Sequence, residues 1–345
     1  MKFGLMFSLQ VPPGSGIPWQ EPYQDMLDCL PRAEELGYSS SFQVSHHAQK
    51  DGLCPGPLIA CAGAAAVTKT MRIGTGVLLV PLYAPLKLAE DIAVLDNLSN
   101  GRFIFGVAPG YVAEEFEAHG IPRNERIGRF EEALDLMTLA WTEDTFSFSG
   151  KSYQVPKTRL TPKPVQSPHP PIWYGVSAPA SLRRAARRHA TQIMSPRHGP
   201  EELLEHFEPY EAEAKKIGWV IPERPIMRSV FIAETKEKAE AIAAPALNYL
   251  FTELYGAASA AGDRVLKAAD GSIITEKEQV GFDTFKNRYI IGDPDFAIEQ
   301  LKLYQRAVQP TEVSCWMHLP GISGKDAMGS VELFAKEVMP HFKDS

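Results

Sequence analysis

The sequence lacks the features of a membrane-spanning or secreted protein. Its longest apolar run, Leu58–Val67, is far shorter than the roughly 20 apolar residues that a transmembrane helix needs. The first ten residues hold one lysine and a short apolar run, without the length or cleavage site of a secretory signal. The four cysteines, Cys29, Cys54, Cys61 and Cys315, form no Cys-x-x-Cys pair, so we interpret them as reduced thiols. We therefore expect a cytoplasmic protein that does not bind a membrane.

Long basic runs, metal-ligand spacings and a complete dinucleotide fingerprint are also missing. The net charge is −7 and basic residues cluster only at Arg183-Arg184 and Arg187-Arg188, so we expect no nucleic-acid partner. There is no His-Glu-x-x-His motif and no close group of cysteines and histidines, so no metal site is predicted. Gly74-Thr75-Gly76 begins like a dinucleotide-binding turn, but the third glycine is missing and the segment lies inside an apolar run.

The most informative stretch that is present, Met71–Pro122, predicts a strand, a helix and a second strand. The apolar run Arg72–Val80 stops at a proline, and the second run, Phe103–Ala108, ends in Pro109-Gly110-Tyr111. Strands that are apolar on both faces and joined by a helix are typical of a parallel sheet covered by helices. Ligands of such sheets bind at the carboxyl ends of the strands. The helix between them is predicted to bury one stripe of side chains, Leu88, Ile92, Leu95 and Leu98.

Similar apolar runs recur along the chain and alternate with helical patterns. We predict eight buried strands, at Phe3–Leu9, Ser40–Val44, Arg72–Val80, Phe103–Ala108, Ile172–Gly175, Thr191–Met194, Ile226–Ala233 and Glu312–Leu319. This alternation predicts an α/β fold, a (β/α)8 TIM barrel with insertions, as a single domain over residues 1–345. A doubly wound open sheet is the alternative, but no glycine-rich nucleotide turn marks its switch point.

Three segments depart from this alternation. Phe146–Val155 has a period of two around Ser149-Gly150, which predicts a hairpin. Tyr255–Arg288 is first rich in glycine and alanine and then mixed, and we expect an insertion around 255–288 that covers the mouth of the barrel as a lid. The helix predicted at Pro57–Lys69 carries mostly small side chains, so it either packs closely on the barrel wall or forms the interface of a homodimer.

Candidate functional side chains stand at the ends of predicted strands. His46-His47 follows the second strand, and because adjacent strand residues point to opposite faces, at most one of them faces the mouth. A histidine there can give or take a proton near neutral pH, whereas the alternative is a pair of surface histidines. His198 and His318 are candidates for the same mouth. Gly76 interrupts a β-branched strand, which often marks close approach by a ligand.

A second group of candidates could bind an anion. Ser177-Ala178-Pro179-Ala180-Ser181 follows a strand and opens a helix, where free backbone N–H groups and two hydroxyls could hold a phosphate. The alternative is ordinary helix capping by Ser177. Arg126 and Arg129 precede a helix and could add positive charge, or could simply be solvated.

Taken in order, these motifs resemble the bacterial luciferase-like flavin-dependent monooxygenase family. The resemblance covers nearly the whole chain and is carried by the MKFGLMF start with its Pro-Pro loop, by Ser45-His46-His47, and by GTGVLLVPLYAPLKLAEDIAVLDNLSNGRFIFGVAPGYVAEEFEAHGI. Weaker carriers are PPIWYGVSAPASLRRAAR and LFAKEVMP. Each motif is loose, but their order and spacing together are specific.

The resemblance implies a barrel that binds FMN at its mouth. Reduced FMN, supplied by a separate flavin reductase, would react with O2 to oxygenate a small apolar substrate such as an aldehyde, a ketone or a hydrocarbon. Two alternatives stay open, namely a deazaflavin-dependent oxidoreductase of the same fold and a non-catalytic flavin-binding subunit.

The resemblance also assigns residues. His46 matches the family's catalytic histidine, and Gly76-Val77 matches a non-prolyl cis peptide that faces the flavin ring. Ala108 matches the position beside the reactive carbon of the flavin, and Tyr111 closes the same wall. Ser45 stands where luciferase has an acidic residue before the histidine pair.

The phosphate end shows the more important departure. Ser177, Ala178 and Ser181 match the phosphate-binding turn, but Pro109 stands where luciferase has a phosphate-binding arginine. The charge of the phosphate must then be met elsewhere, and we expect Arg126 to meet it, with Arg129 as the alternative.

Overall fold

The computed structural model describes residues 1–194, 196, 198–256, 266–267, 272–276, 280–285 and 288–343. The strands within these residues are β1 (Lys2–Phe7), β2 (Ser40–Gln43), β3 (Arg72–Thr75), β4 (Leu78–Leu79), β5 (Phe103–Ala108), β6 (Phe146–Ser149), β7 (Gln154–Thr158), β8 (Ile172–Tyr174), β9 (Thr191–Gln192), β10 (Pro225–Ile232), β11 (Leu266–Lys267), β12 (Ile273–Ile274), β13 (Ile290–Gly292) and β14 (Glu312–His318).

The central sheet is parallel and curled. Its order is β13-β10-β14-β1-β2-β3-β5-β8-β9, and β4 also pairs with β5. Beyond β9, Met194 forms an isolated parallel bridge with Ile226 of β10, and the Met227 N–H donates to the Met194 carbonyl over 3.2 Å. The chain after β9 therefore comes back to β10. The predicted α/β fold with a parallel sheet is confirmed.

Helices cover the outside of the sheet. Several of them begin with proline, whose fixed φ suits a first helical turn. One of these, Pro294–Val308, is also capped by Asp293, which accepts from the Phe296 N–H over 2.8 Å. Their bounds are Glu21–Glu35, Pro57–Val67, Pro85–Leu98, Ala113–Ala118, Arg126–Thr142, Pro179–Arg187, Pro200–Lys216, Lys236–Leu250, Phe282–Phe285, Pro294–Val308 and Gly324–Glu337. Among the described residues no helix is long and apolar enough to cross a membrane.

Alternation along the strands divides the core into two layers. In β14, Cys315 and Met317 pack outward under the helices, whereas Trp316 packs inside the curled sheet. In β1, Leu5 packs outward and Met6 packs inward. Because the period of a strand is two, each strand contributes to both layers at once, which is why the sequence reads as continuous apolar runs.

The interior of the sheet is filled from the amino-terminal end upward. Near that end, Arg72 Nη2 lies 2.7 Å from Oε2 of the buried Glu312, and the Arg72 guanidinium lies 5.4 Å from the centre of the Trp173 ring. The Trp173 ring stacks in turn on Phe42 at 5.1 Å. Gly74 leaves room for this stack, since a Cβ there would lie 2.5 Å from the Phe42 ring. The open space therefore remains at the carboxyl end of the strands.

Several local predictions are wrong. The third predicted strand is not continuous, because β3 ends at Thr75 and β4 resumes at Leu78. Leu98 does not belong to the buried stripe of its helix, since it is 66% exposed, while Ile92 is fully buried. Helix Ala113–Ala118 and strand β13 were not predicted because each is too short to show a period.

The hairpin prediction is confirmed and the insertion is only partly described. β6 and β7 pair antiparallel across the turn that follows Ser149. Within the predicted insertion 255–288, residues 257–265, 268–271, 277–279 and 286–287 lie outside the described part of the chain. The predicted lid falls mainly on these residues, so it stays a prediction.

Candidate active site

A cavity of about 270 Å³ opens at the carboxyl ends of the parallel strands. Its walls come from β1, β4, β5, β10 and β14 and from the segments that follow β2, β3, β5, β8 and β9. All the predicted catalytic and cofactor-binding residues line this one cavity, namely His46, Gly76, Val77, Ala108, Tyr111, Arg126, Ser177, Ala178 and Ser181. The sequence thus predicted their common location, while the role of each residue stays a prediction.

His46 is held by a carboxylate. Its Nδ1 lies 2.8 Å from Oε1 of Glu115, whose side chain is fully buried. The same Oε1 accepts the backbone N–H of His47 over 2.7 Å. With Nδ1–H donating to Glu115, Nε2 is the ring nitrogen left to act as acceptor toward a ligand in the cavity. The arrangement fixes both the orientation and the tautomer of an acid–base group.

His47 faces the other way. It does not line the cavity but packs edge-on against His119, with ring centres 5.0 Å apart, and against Tyr83. Burial lowers the pKa of His47, because a charged imidazole would lose its hydration there. The prediction that at most one histidine of the pair faces the mouth is confirmed.

Sequence reasoning missed Glu115. The residue lies 69 positions from His46, on a helix of six residues that shows no apolar stripe. The only signal was its place shortly after the Pro109-Gly110-Tyr111 strand end, where side chains reach the mouth of a parallel sheet. That signal did not separate Glu115 from its exposed neighbour Glu114.

Glycines form part of one wall of the cavity. The Gly76–Val77 peptide is cis, as the resemblance implied. A Cβ on Gly76 would lie 3.0 Å from the Phe42 Cβ, and one on Gly175 would lie 2.9 Å from Val77 Cγ1. Gly76 and Gly175 follow β3 and β8 and both line the cavity, so the wall there is partly backbone, beside the side chains of Val77 and Val176. A flat ring could lie close against it.

The cavity border continues at the end of β5, which lies between β3 and β8 in the sheet. Ala108 is the last residue of that strand, and the left-handed Gly110 (φ +75°) then turns the chain. The turn places the Tyr111 ring edge-on to His46, with ring centres 5.7 Å apart. Tyr111 therefore helps to fix the face of the histidine that borders the cavity.

The predicted anion site is a helix N-terminus. Ala178, not Ser177, is the N-cap of helix Pro179–Arg187, and no side chain caps it. The alternative that Ser177 caps the helix is therefore wrong. Ser181 Oγ accepts from Arg184 Nη2 over 3.0 Å. An uncapped N-terminus that borders a cavity offers N–H groups and a positive dipole end to an anion.

The two candidate arginines differ in position. Arg126 lines the cavity and donates from Nη1 to the Arg123 carbonyl over 3.1 Å. Arg129 does not line it, since its Nε lies 2.9 Å from Glu125 and its guanidinium stacks on Tyr153. Of the two, Arg126 is the one placed to meet an anion in the cavity.

The other two predicted histidines, His198 and His318, lie in different places. His198 lines the cavity, and its Nε2 lies 3.0 Å from Nε2 of His206. His318 does not line it, because its Nε2 lies 3.1 Å from Asp25 Oδ2 on the outer side of the sheet. The expectation that His318 shares the mouth is wrong. Two residues after the inward-facing Trp316, a regular strand would face inward again, but β14 breaks register with β1 at this point and His318 faces outward.

Known proteins resemble the chain over most of its length. The oxygenase component of the flavin-dependent trigonelline monooxygenase of Acinetobacter baylyi is 28% identical over 332 residues, which cover 94% of this chain and 91% of that protein. Monooxygenase RslO1 from Streptomyces bottropensis has a similar fold, with a TM-score of 0.86, 24% identity, and coverage of 99% of this chain and 100% of that chain.

A second solved structure is the oxygenating constituent of 3,6-diketocamphane monooxygenase from Pseudomonas putida in complex with FMN. Its TM-score is 0.81 at 22% identity, with coverage of 99% of this chain and 98% of that chain. Residues 1–309 match the family of luciferase-like monooxygenases. The chain therefore belongs to the luciferase-like monooxygenase family, and the expectation that it is an enzyme of this family is confirmed.

Proposed function

We propose that the protein is the oxygenase component of a two-component system that binds reduced FMN in the cavity and oxygenates a small apolar substrate. The observation that carries the proposal is the composition of the cavity. It combines a carboxylate-held histidine, a backbone wall and an uncapped helix N-terminus near Arg126. The FMN complex of the structurally similar diketocamphane enzyme supports the choice of cofactor.

The residues present fit FMN. Ser177, Ala178 and Ser181, with Arg126, would hold the phosphate, since N–H groups and a guanidinium satisfy an anion. Gly76-Val77 on one side, and Ala108 with Tyr111 on the other, would border the flavin ring. This arrangement also compensates for the missing arginine at Pro109, because Arg126 would supply the positive charge from the start of its own helix.

His46 would move the proton that the reaction needs. Bound reduced FMN would supply the two electrons with which one atom of O2 is reduced to water while the other enters the substrate. His46 Nε2 would give or take a proton within the cavity, and Glu115 would hold Nδ1–H throughout.

A separate reductase would deliver the reduced flavin. The relative from Acinetobacter baylyi is named an oxygenase component, which supports a two-component arrangement here.

The fold proposal that goes with this function is a closed (β/α)8 barrel over residues 1–345. The bridge between Met194 and Ile226 supports closure, since it joins the end of the β9 segment to β10. The residues inside the sheet also stack in layers, as in closed barrels.

A homodimer is part of the proposal. Helix Pro57–Val67 packs inward with Ala60, Cys61 and Ala64, and its outer side carries Ile59, which is 81% exposed. An isoleucine exposed to this degree among small residues suits a contact with a second copy of the same helix.

Anaerobic titration with reduced FMN tests the cofactor. We expect saturable binding with a Kd of about micromolar order, and weaker binding when Arg126 is replaced by alanine. The matched control Arg129→Ala should bind as the parent does. Preferential binding of a reduced deazaflavin would support the oxidoreductase alternative instead, and no binding of either cofactor would contradict the proposal.

Turnover assays test the chemistry. His46→Ala should lower oxygenation by about 10²- to 10⁴-fold, the usual contribution of an acid–base group, while the Kd for reduced FMN changes little. Flavin binding without substrate-dependent oxygen use, across aldehydes, ketones and hydrocarbons, would point to a non-catalytic subunit.

A further inference from the structure

A second buried carboxylate lies at the carboxyl ends of the strands, outside the cavity. Asp51 stands in the segment after β2 that also carries His46, and it is only 6% exposed. It does not line the cavity and takes no part in the contact between His46 and Glu115. Its carboxylate contacts within the described residues are hydrogen bonds from neutral donors, and no cation pairs with it there. These bonds must therefore satisfy a buried charge.

Three hydrogen bonds converge on the Asp51 carboxylate from three parts of the chain. Oδ2 accepts Gln10 Nε2 over 2.6 Å and the Tyr249 hydroxyl over 2.9 Å. Oδ1 accepts the backbone N–H of Leu53 over 3.2 Å. Gln10 follows β1 and Leu53 follows β2. Tyr249 lies on the helix Lys236–Leu250, after β10. One buried side chain thus joins three segments at the end of the sheet that carries the cavity.

The same bonds reach the main chain of His46. The carbonyl of Leu53 accepts the His46 backbone N–H over 3.0 Å, while the N–H of Leu53 donates to Asp51. Leu53 is 1% exposed, and an unmade hydrogen bond is costly at such a buried position. The peptide groups on the two sides of Leu53 therefore link the carboxylate to the His46 backbone, whereas Glu115 holds the ring of the same histidine.

The contact with the helix is the stronger of two between the same segments. Burial raises the pKa of Tyr249, and its hydrogen bond to Asp51 raises the pKa further, so the hydroxyl remains a donor well above neutral pH. The other contact is an ion pair, in which Lys50 Nζ lies 2.7 Å from Glu253 Oε2. Because the Lys50 side chain is 62% exposed, water and salt screen this pair and it contributes little.

We propose that Asp51 is a positioning residue of the acid–base site, whose carboxylate sets the place of the His46 main chain and couples it to the helix Lys236–Leu250. The inference rests on the proposed function, because it assigns Asp51 a role that is exerted through His46. One carboxylate holds the ring of the histidine and another holds its backbone. An imidazole fixed at both points keeps Nε2 in one place, as efficient proton transfer requires.

Amide hydrogen exchange of the full-length protein measures this restraint without cofactor or turnover. The His46 amide is the probe, since it donates to the Leu53 carbonyl. The Val44 amide, two residues earlier, is the internal reference, because it donates to the Phe7 carbonyl over 2.9 Å and takes no part in the Asp51 contacts. A local effect of Asp51 changes the first amide only, whereas a general loss of stability changes both.

The expected result is specific to one amide and one carboxylate. Asp51→Ala should speed exchange of the His46 amide by about tenfold, the equivalent of one hydrogen bond, and leave the Val44 amide unchanged. Lys50→Ala is the matched control, since it breaks only the exposed ion pair with Glu253, and it should change neither amide.

Oxygenation should follow the exchange rates. We expect Asp51→Ala to lower turnover by about tenfold, at the lower end of the effect of removing a partner that orients a functional histidine, while the Kd for reduced FMN changes little. Asp51→Asn keeps an oxygen acceptor for the Leu53 N–H, so it should restore most of both losses. Tyr249→Phe is the second variant if Asp51→Ala does not fold. It removes only the bond to the helix and should speed exchange of the His46 amide about twofold.

Three results would overturn the positioning role. Equal acceleration of the His46 and Val44 amides would mean that Asp51 only stabilises the fold, and unchanged exchange at both would mean that it does not hold His46. Acceleration at His46 alone, with full turnover, would mean that the restraint does not serve the reaction. Failure of the parent protein to bind reduced FMN would instead contradict the proposed function, and the exchange rates would still decide whether Asp51 holds His46.

Discussion

At the scale of single residues, the contact between His46 and Glu115 holds the ring of the proposed acid–base group. One carboxylate oxygen receives both the His46 ring and the backbone N–H of His47. The strand end and the helix at Ala113–Ala118 are thereby joined at the point where the acid–base group stands. In the proposed function, Glu115 would act through His46 as a positioning residue.

Replacing Glu115 by alanine should separate positioning from cofactor binding. We expect oxygenation to fall by about 10- to 100-fold, as is usual when the partner that orients a functional histidine is removed, and the Kd for reduced FMN to change little. Stopped-flow oxygenation and anaerobic titration measure the two effects. Glu114→Ala, an exposed neighbour on the same helix, is the control and should match the parent. An equal loss in flavin affinity would contradict the positioning role.

The sequence predicted which residues line the cavity better than it predicted the contacts between them. His46, Gly76 and Ala108 could be found because each stands at or near a strand end. The pairing of His46 with Glu115 could not, because it depends on how two distant loops meet above the sheet. For the same reason the sequence could not choose between Arg126 and Arg129, which lie on one helix but point to different neighbours.

At the scale of elements, Glu34 attaches the helix Glu21–Glu35 to the turn that begins β3. Its carboxylate accepts the backbone N–H groups of Lys69, Thr70 and Met71. Burial alone would raise the pKa of Glu34, but these N–H donors outweigh it and lower the pKa to about 2. The charged form is therefore favoured in the folded chain.

This contact predicts a pH-dependent loss of stability. The pKa of Glu34 is lower in the folded chain than the usual 4.5, so its stabilisation is complete above that value and is lost as the pH falls toward 2. Glu34→Ala should lower the free energy of unfolding by about 1–2 kcal/mol at neutral pH, with a difference that shrinks in acid. Urea titrations at several pH values measure this difference in the free energy of unfolding. Glu35→Ala, which breaks only an exposed pair with Arg32, should change it by less than about 0.5 kcal/mol.

Elements with a clear period were predictable, and short ones were not. The strands β1, β5 and β14 are long apolar runs with sharp ends, and the structure places them where the sequence did. The break between β3 and β4 lies inside one apolar run, because backbone geometry at Gly76–Val77 interrupts the ladder without a change in hydrophobicity. Leu98 continued an apolar stripe but lies on the last turn of its helix, where the core no longer covers it.

At the scale of the whole molecule, the proposed homodimer can be tested on one side chain. Ile59→Asp places a charge on the outer side of helix Pro57–Val67. It should raise the dissociation constant of the dimer by at least about tenfold, since an unpaired charge buried in the interface is strongly unfavourable. Sedimentation velocity measures the change. Val220 is similarly exposed, at 84%, but lies elsewhere, so Val220→Asp should leave the assembly unchanged. A monomeric parent protein would contradict the proposal.

The global architecture followed from the sequence because alternation of strands and helices is repeated along the whole chain. Three features depend on that repetition: the parallel direction of the strands, the helices that cover the sheet, and the location of the cavity at the carboxyl ends of the strands. The predicted lid has no such basis, because residues 255–288 show no period in the sequence.

The methionines that line the cavity have a consequence for the lifetime of the enzyme. When reduced flavin meets O2 without substrate, hydrogen peroxide forms, and it converts a thioether and itself into a sulfoxide and water. Met6, Met194 and Met227 border the space where this would happen, whereas Met26 and Met137 are buried away from it. We expect idle turnover to add about 16 Da to the first three and not to the other two, as peptide mass spectrometry would show. The oxidation of these three methionines would then record how often the enzyme had turned over without substrate.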